Sequence, residues 1–324
     1  MMNNIYICPN TNELLEEKEN GLINNKGYFY PYIKSLNDVK IPNFTMESNK
    51  SINFLNEYNK EQSILMYQNF LNWLFETFDE DELTFRKQLL KKLDLPKNYK
   101  ILITGCGLGD DVEPIINLFG LDGEIYLCDL SEVMVTEASN RTSKYENIFL
   151  SVCDAHNLPF SNNFFDGVFH FGGINLFENI NLAINEMVRV TKVKGKVVFG
   201  DEGVAPWLRD TQYAKIAINN IALWAKEAPI DKLPENVEDV NLSWVLGNCF
   251  YVIDFRVSEG LPFMNLDIKH QGRRGGNMRT RYFGLLEGVS EETKNKILND
   301  SIKKGLSVHD WLEFVCSKEF ESDE

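Results

Sequence analysis

An α/β fold built on a parallel sheet is predicted for this chain, and three observations predict it. Short apolar segments alternate with segments of helical period between residues 98 and 203. A glycine loop, Gly105-Cys106-Gly107-Leu108-Gly109, joins the first apolar segment to the helix after it. Acids close the next two apolar segments, at Asp129 and Asp154. Buried strands alternating with helices imply βαβ units, hence a parallel sheet with helices on both faces and ligands beyond the carboxyl ends of its strands.

Lys100-Ile101-Leu102-Ile103 reads as the first strand. A helix is expected over 111–119, a strand over 124–128, a helix over 131–145 and a strand over 148–152. A strand over 167–171, a helix over 180–191 and a strand over 196–200 complete the alternation. Ahead of it, between residues 60 and 93, Ile64, Leu65, Tyr67, Phe70, Leu71, Leu74, Phe75 and Phe78 recur at spacings of three and four and line one helical face, broadened by Trp73 and closed by Pro96. After residue 200 the pattern predicts a long helix over 206–228, an acidic loop over 231–239, an aromatic strand over 249–257, a Gly/Arg-rich loop and a strand over 278–286 before terminal helices. Residues 1–45, with strand-like runs at 5–7 and 27–33, read as a small β-rich appendage and residues 46–97 as a helical cap. The main domain is expected over 98–324, with substrate-binding elements after residue 203.

Glycines in a strand-to-helix loop let the backbone turn sharply and approach a ligand, although a tight turn with no ligand has the same residues. Asp129 stands twenty positions after Gly109, where a carboxylate can accept both hydroxyl protons of a ribose. Asp154 at the next strand end can accept a hydrogen bond from an adenine amino group. Each acid alone also fits a solvated helix cap; with the glycine loop they describe an adenosine-shaped site. Asp110 directly follows Gly109, which departs from GxGxxG and places negative charge where a pyrophosphate would sit. A cofactor with adenosine and no phosphates fits better.

The ordered set Ile101-Leu102-Ile103-Thr104-Gly105-Cys106-Gly107-Leu108-Gly109, Cys128-Asp129, Cys153-Asp154-Ala155-His156-Asn157-Leu158-Pro159-Phe160 and Phe165-Asp166-Gly167-Val168 resembles the successive motifs of class I S-adenosylmethionine-dependent methyltransferases. The segment from Phe171 through Asn175 to Phe177, then Asn185-Glu186-Met187-Val188-Arg189-Val190 and Lys194-Gly195-Lys196, is similar to their quinone-biosynthesis branch in particular. The resemblance implies a Rossmann-like, seven-stranded, mostly parallel sheet ending in a C-terminal antiparallel hairpin, which 249–257 and 278–286 would supply. It also implies an S-adenosyl-L-methionine site made by Thr104, Gly105, Cys106, Gly107 and Gly109, by Asp129 and Leu130, by Asp154 and Ala155, and by Phe171, with no metal. The acid that usually stands two residues before the first motif glycine is Ile103 here, so the methionine amino group must be contacted differently. More faintly, Ile7-Cys8-Pro9, Tyr30-Pro31 and Lys40-Ile41-Pro42 resemble a zinc-ribbon-like module whose other cysteines are absent, so a metal-free module is expected.

Methyl transfer from a sulfonium is an in-line displacement that needs alignment and exclusion of water more than a general base. Where the acceptor must lose a proton, His170, Asp201 and Glu202 at the ends of the fourth and fifth strands are the candidates; a strand-end histidine and a helix-capping acid pair are the structural alternatives. Asn175 is a candidate for binding the acceptor. Arg279 and Arg281, two apart on the expected strand, and Arg273 and Arg274 in the glycine loop suit capture of a carboxylate or phosphate, as well as a solvated hairpin. The aromatic helix over 64–78 reads either as a lid or as plain packing.

The formal net charge of −15 opposes loose binding to nucleic acid. Six scattered cysteines without a CxxC pair suit a reducing compartment, no apolar run is long enough to span a bilayer, and no secretory signal is read, so a cytoplasmic location is expected. The leading expectation is methyl transfer to a small molecule with an apolar or aromatic body and, where the arginines engage it, an anionic group. RNA methylation and a catalytically silent adenosylmethionine-binding scaffold are the competing readings.

Overall fold

The computed structural model describes residues 5–33, 39–45, 59–283 and 290–321. The chain divides into two compact units, residues 1–262 and 263–324.

The first unit opens with a four-stranded antiparallel sheet, β1 (Glu16–Lys18), β2 (Gly21–Ile23), β3 (Phe29–Ile33) and β4 (Ile41–Pro42). This small sheet is stitched to the rim of a larger one. Phe44 N–H donates to Val152 O at 2.8 Å, Ile7 N–H donates to Pro159 O at 3.0 Å, and Tyr6, Tyr30 and Phe44 pack in one core with Phe160 and Tyr126. It therefore covers an edge strand that would otherwise present unpaired backbone groups. Cys8 is buried with Sγ 3.2 Å from Tyr30 Oη. Among the described residues, no three His, Cys, Asp or Glu side chains gather as a metal-holding group.

Two helices follow, α1 (Gln62–Phe78) and α2 (Glu82–Leu90), where the sequence pattern predicts one helix over 60–93. The break is local: Asp79 turns left-handed at φ 50°, and Asp81 caps α2 by accepting from Thr84 N–H at 2.8 Å. The alternation then runs β5 (Lys100–Thr104), α3 (Val112–Phe119), β6 (Glu124–Asp129), α4 (Glu132–Thr142), β7 (Ile148–Val152), β8 (Phe165–Phe171), α5 (Ile180–Val190) and β9 (Thr191–Glu202). The expected long helix over 206–228 is a 3-10 turn (Pro206–Leu208), a short α6 (Gln212–Asn220) and a second 3-10 turn (Ala222–Ala225). β10 (Val237–Val245) and β11 (Phe250–Val257) complete a seven-stranded sheet of order β10-β11-β9-β8-β5-β6-β7. Strands β5 to β9 pair in parallel, and β10 and β11 are antiparallel.

The expected C-terminal hairpin is present, and one of its strands is not the expected one. The partner of β11 is β10, which begins at the last three residues of the expected acidic loop over 231–239 and runs on to Val245, whereas Met278–Phe283 is helical (α7), and residues 284–286 lie outside the described residues. β10 escapes period-2 recognition because its register shifts between Glu238 and Asn241, with Asp239 at φ 52°.

Alternation along the parallel strands divides the interior. Ile101, Ile103, Ile125, Leu127 and Phe169 face one core with Leu74, Phe85, Leu89, Ile115 and Val135 from α1 to α4. Leu102, Tyr126, Val168, Val197 and Phe199 face the other with Ile184, Met187 and Val188 of α5 and the N-terminal sheet. Burial on both sides is why these strands read as unbroken apolar runs. β5 lies between β8 and β6, so the strand order reverses beside its carboxyl end, where α/β sheets open a ligand crevice.

The second unit comprises α7, α8 (Glu291–Lys303) and α9 (Val308–Glu321) with the loop before them. No helix among the described residues is long and apolar enough to cross a membrane.

Candidate functional site

A cavity of about 640 Å³ opens at the carboxyl ends of the parallel strands. That is within the range of small-ligand sites. The glycine loop forms part of its floor. Gly105 and Gly107 hold φ 60° and 51°, and both line the cavity. A β-carbon on Gly105 would lie 3.0 Å from His170 Cε1, and one on Gly107 would lie 3.2 Å from Tyr67 Oη. Gly109, at φ 81°, serves packing: its β-carbon would meet Ala138 Cβ and Thr142 Cγ2 at 3.4 Å. Of the residues expected to hold a cofactor, Gly105, Gly107, Asp129, Leu130, Asp154, Ala155 and Phe171 line the cavity, and Thr104, Cys106 and Gly109 do not.

The acids at the strand ends behave differently from one another. Asp129 ties β6 to the glycine loop, accepting from Gly107 N–H at 3.0 Å through Oδ2 and from Ser131 N–H at 2.9 Å through Oδ1. Burial raises its pKa and these backbone donors oppose the rise. The Leu130 N–H also bears on this carboxylate, and with about four acceptor sites it keeps capacity for a further donor. Asp154 Oδ1 is taken by its own neighbour, accepting from His156 N–H at 2.9 Å and from Nδ1–H at 2.6 Å. Burial opposes ionisation of Asp154, but the His156 hydrogen bonds prevail and hold its pKa low, and the same bond raises that of His156. Asp154 therefore enters the site as half of a carboxylate-imidazole pair, with Oδ2 as its open acceptor.

His170 is fully enclosed at 1% exposure and lines the cavity. Its Nδ1 lies 2.9 Å from Thr104 O and 3.1 Å from Thr104 Oγ1. A carbonyl oxygen only accepts, so Nδ1 carries the proton and Nε2 a lone pair. Nε2 has no hydrogen-bond partner among the described residues, and burial pushes the imidazole pKa down to about 4. The unfolded chain takes up that proton near pH 6.5, so folding stability is complete above 6.5 and falls as pH drops toward 4. Urea titrations at pH 7.5 and 4.5 are expected to show a loss of about 2 to 3 kcal/mol that His170→Phe removes. An unchanged pH dependence in that variant would contradict the buried neutral ring.

The other candidates split. Asp201 is wholly buried and absent from the cavity wall. Its Oδ2 accepts from Gly173 N–H at 3.1 Å and Asn175 N–H at 2.7 Å, and Oδ1 accepts from Glu202 N–H at 2.8 Å. Burial, then the neighbouring Glu202, raises its pKa. The carboxyl thus fastens the 173–175 turn. Asn175 is likewise internal, donating from Nδ2 to Glu202 O at 2.7 Å and accepting from Tyr251 Oη at 3.2 Å. Glu202 alone of these three lines the cavity.

The remaining wall is apolar and comes largely from the cap. Tyr67, Phe70, Leu71, Leu74 and Phe75 of α1 and Phe85 and Leu89 of α2 face Phe171, Ile221, Leu223 and Phe250. Phe171 stacks on Phe250 at 5.9 Å and meets Phe85 edge-on at 5.4 Å. Arg86 anchors this cap to the glycine loop, with Nη1 2.8 Å from Asp111 Oδ1 and Nη2 2.7 Å from Glu82 Oε1. Despite a burial penalty, these carboxylates and Tyr67 hold its charge firmly. Tyr67, Arg86, Ser131 and Met134 join the site without a sequence motif, and His156 joins it from within the motif over 153–160 without a predicted role; of the first four only Tyr67 carried a signal, as a member of the apolar stripe.

The arginines Arg273, Arg274, Arg279 and Arg281 belong to the second unit. Arg279 and Arg281 sit on a helix, so they do not share a strand face. Arg279 pairs with Asp267 at 3.1 Å, and Arg281 donates to Gly275 O at 3.0 Å.

Residues 101–195 match the family model described as a methyltransferase domain. Over 149 residues the chain is 34% identical to the demethylmenaquinone methyltransferase of Staphylococcus aureus strain MRSA252, an alignment covering 44% of this chain and 61% of that protein. It therefore spans less than two thirds of the curated relatives it matches. Among solved structures, the Haemonchus contortus phosphoethanolamine N-methyltransferase 2 in complex with S-adenosyl-L-methionine shares the fold at TM-score 0.52 and 16% identity, over 76% of this chain and 71% of that one. The same enzyme with phosphomonomethylethanolamine and S-adenosylhomocysteine also aligns at TM-score 0.52, with 15% identity and the same coverage.

Proposed function

We propose that this chain, which carries a methyltransferase domain of the class I, Rossmann-like kind, transfers a methyl group from S-adenosyl-L-methionine to a small acceptor with an apolar or aromatic body. One observation carries the reading. Asp129, fixed by Gly107 N–H, and Asp154, fixed by His156, present open carboxylate acceptors to the same cavity whose other wall is aromatic. Adenosine offers the matching donors, the ribose hydroxyls to Asp129 and the adenine amino group to Asp154 Oδ2.

The cofactor would supply the electrophilic methyl carbon. The acceptor's lone pair forms the new bond to it as the carbon–sulfur bond breaks, and that electron pair stays on sulfur. The chain's part is to align the two and keep water out, which the ring wall of Phe70, Phe75, Phe85, Phe171 and Phe250 suits. Glu202 lines the cavity, which supports it as the acid that would take a proton from an acceptor that must lose one. The lining arginine, Arg86, is committed to Asp111, which favours an acceptor body without an anionic group at this wall. The relatives named for demethylmenaquinone fit the same preference. Six free cysteines, five of them buried, support the cytoplasmic placement.

Calorimetry with S-adenosylmethionine tests the cofactor. Asp129→Ala is expected to weaken binding about 10- to 100-fold, as loss of hydrogen bonds to a charged group does. Binding unaffected by that change would remove the reading. A labelled-methyl assay against small-molecule extract and total RNA tests the acceptor: transfer to RNA alone would favour the competing RNA reading, and binding without transfer would favour a scaffold.

A further inference from the structure

The second unit opens with a segment, residues 263–283, whose charge runs against that of the chain as a whole. It carries five bases, Lys269, Arg273, Arg274, Arg279 and Arg281, against one acid, Asp267, in a chain of net charge −15. Large apolar side chains stand in water beside them: Phe263 is 94% exposed, Met264 64% and Ile268 65%. Apolar groups left in water together, within six positions of one another, mark an interaction surface.

The segment's backbone is held, so this surface is built and not a frayed end. His270 N–H donates to Gly276 O at 2.7 Å and Thr280 N–H to Asn277 Oδ1 at 2.7 Å. Val308 N–H and His309 N–H of α9 donate to Arg273 O and Arg274 O, each at 3.2 Å. Two of the arginines brace the segment, Arg279 through Asp267 and Arg281 through Gly275 O. Arg273 and Arg274 are different: both are exposed, and among the described residues neither side chain has a carboxylate partner.

We propose that this segment docks the chain on an anionic lipid bilayer. Phe263, Met264 and Ile268 enter the boundary between headgroups and acyl chains, and Arg273 and Arg274 meet the lipid phosphates. Interleaved basic and apolar side chains are complementary to such a surface on both counts. A nucleic acid answers only the arginines, since Met264 and Ile268 have no ring to stack on a base. A protein partner must supply a pocket for each apolar side chain, whereas a bilayer is soft and needs none. The net charge does not prevent contact, because salt screens charges beyond about 10 Å at 0.1 M and the local excess of bases governs at the surface. No helix among the described residues is long and apolar enough to cross a membrane, so attachment from one side would bring the chain to an acceptor whose apolar body dissolves in lipid. The choice of a bilayer rests in that respect on the acceptor reading above.

Flotation of the full chain with vesicles tests the proposal, using phosphatidylcholine alone and an equal mixture of phosphatidylcholine and phosphatidylglycerol. Binding to the mixed vesicles is expected, weakening as salt rises. Arg273→Gln/Arg274→Gln is expected to weaken it about 10- to 30-fold, and Phe263→Ser/Met264→Ser/Ile268→Ser about 10- to 100-fold. Melting curves of both variants are expected to match that of the wild type, because every replaced side chain is exposed. Absence of binding to the mixed vesicles overturns the proposal. So does binding that the serine variant leaves unchanged, since charge alone would then account for it. Binding to polyuridylate without binding to vesicles would replace the bilayer with a nucleic acid. Failure here is distinct from failure of the methyl-transfer reading: calorimetry with S-adenosylmethionine needs no vesicle, and flotation needs no cofactor.

Discussion

Arg86→Met is expected to lower the stability of the first unit by about 3 to 5 kcal/mol, because it leaves the buried Asp111 and the half-buried Asp110 side by side without their shared cation. Burial already raises the pKa of Asp110, which Arg86 and Arg141 counteract and Asp111 reinforces. Without Arg86 the two carboxyls repel across adjacent positions at the start of α3. Urea unfolding reads the loss directly. The double variant Arg86→Met/Asp111→Leu is expected to regain part of it, since removing both members of a buried pair costs less than removing one. A double variant no more stable than the single one would mean that Arg86 acts through packing of its stem instead. The effect should reach function because α1 and α2 form the apolar wall and Tyr67 sits over Gly107. Slackening that cap admits water to the cavity.

Asp201→Ala is the second large effect. Its carboxylate accepts from three backbone N–H groups, those of Gly173, Asn175 and Glu202, at 2.7 to 3.1 Å. Alanine leaves all three without an acceptor in a closed interior, and each such orphan costs about 1 to 3 kcal/mol, so a total of about 3 to 5 kcal/mol is expected. Asp201→Asn keeps one acceptor oxygen and should fall between. Hydrogen exchange provides the local measure: the amides of Gly173 and Asn175 should lose protection before the rest of the sheet. A loss below 1 kcal/mol with protection intact would mean that the turn is held by Asn175 and Tyr251 instead.

The alternation from β5 to β9 was legible because the centres of the strands, such as Ile101 to Ile103, Ile125 to Cys128 and Val197 to Phe199, are buried on both faces and therefore had to be apolar, while strand ends are marked by Gly105, Asp129 and Asp154. The hairpin partner was not. β10 is an edge strand whose exposed run, Asp239 to Leu242, mixes polar and apolar residues and whose bulge at Glu238 to Asn241 breaks the period of two. The arginine pair was misplaced for the related reason that Met278-Arg279-Thr280-Arg281 has no periodicity strong enough to separate a strand from one and a half turns of helix. Gly109 illustrates a third limit. A motif glycine states that a side chain would be unwelcome, not whether a ligand or the helix carrying Ala138 and Thr142 is what it would strike.

By itself the sequence determined the order of strands and helices from β5 to β9, the place of the glycine loop and the two acids that face the cavity with it. These follow from local rules: burial sets the strand pattern, glycine the turn, and chain order the strand ends. Tertiary structure alone decided which groups share the site's charges and lone pairs. It gave Asp111 to Arg86, one oxygen of Asp154 to His156 and Asp201 to the backbone and the neighbouring Glu202, and it left His170 Nε2 without a partner among the described residues. Hydrogen bonding depends on distances of about 3 Å between atoms that lie 2 to 66 residues apart along the chain here, and no local rule fixes those.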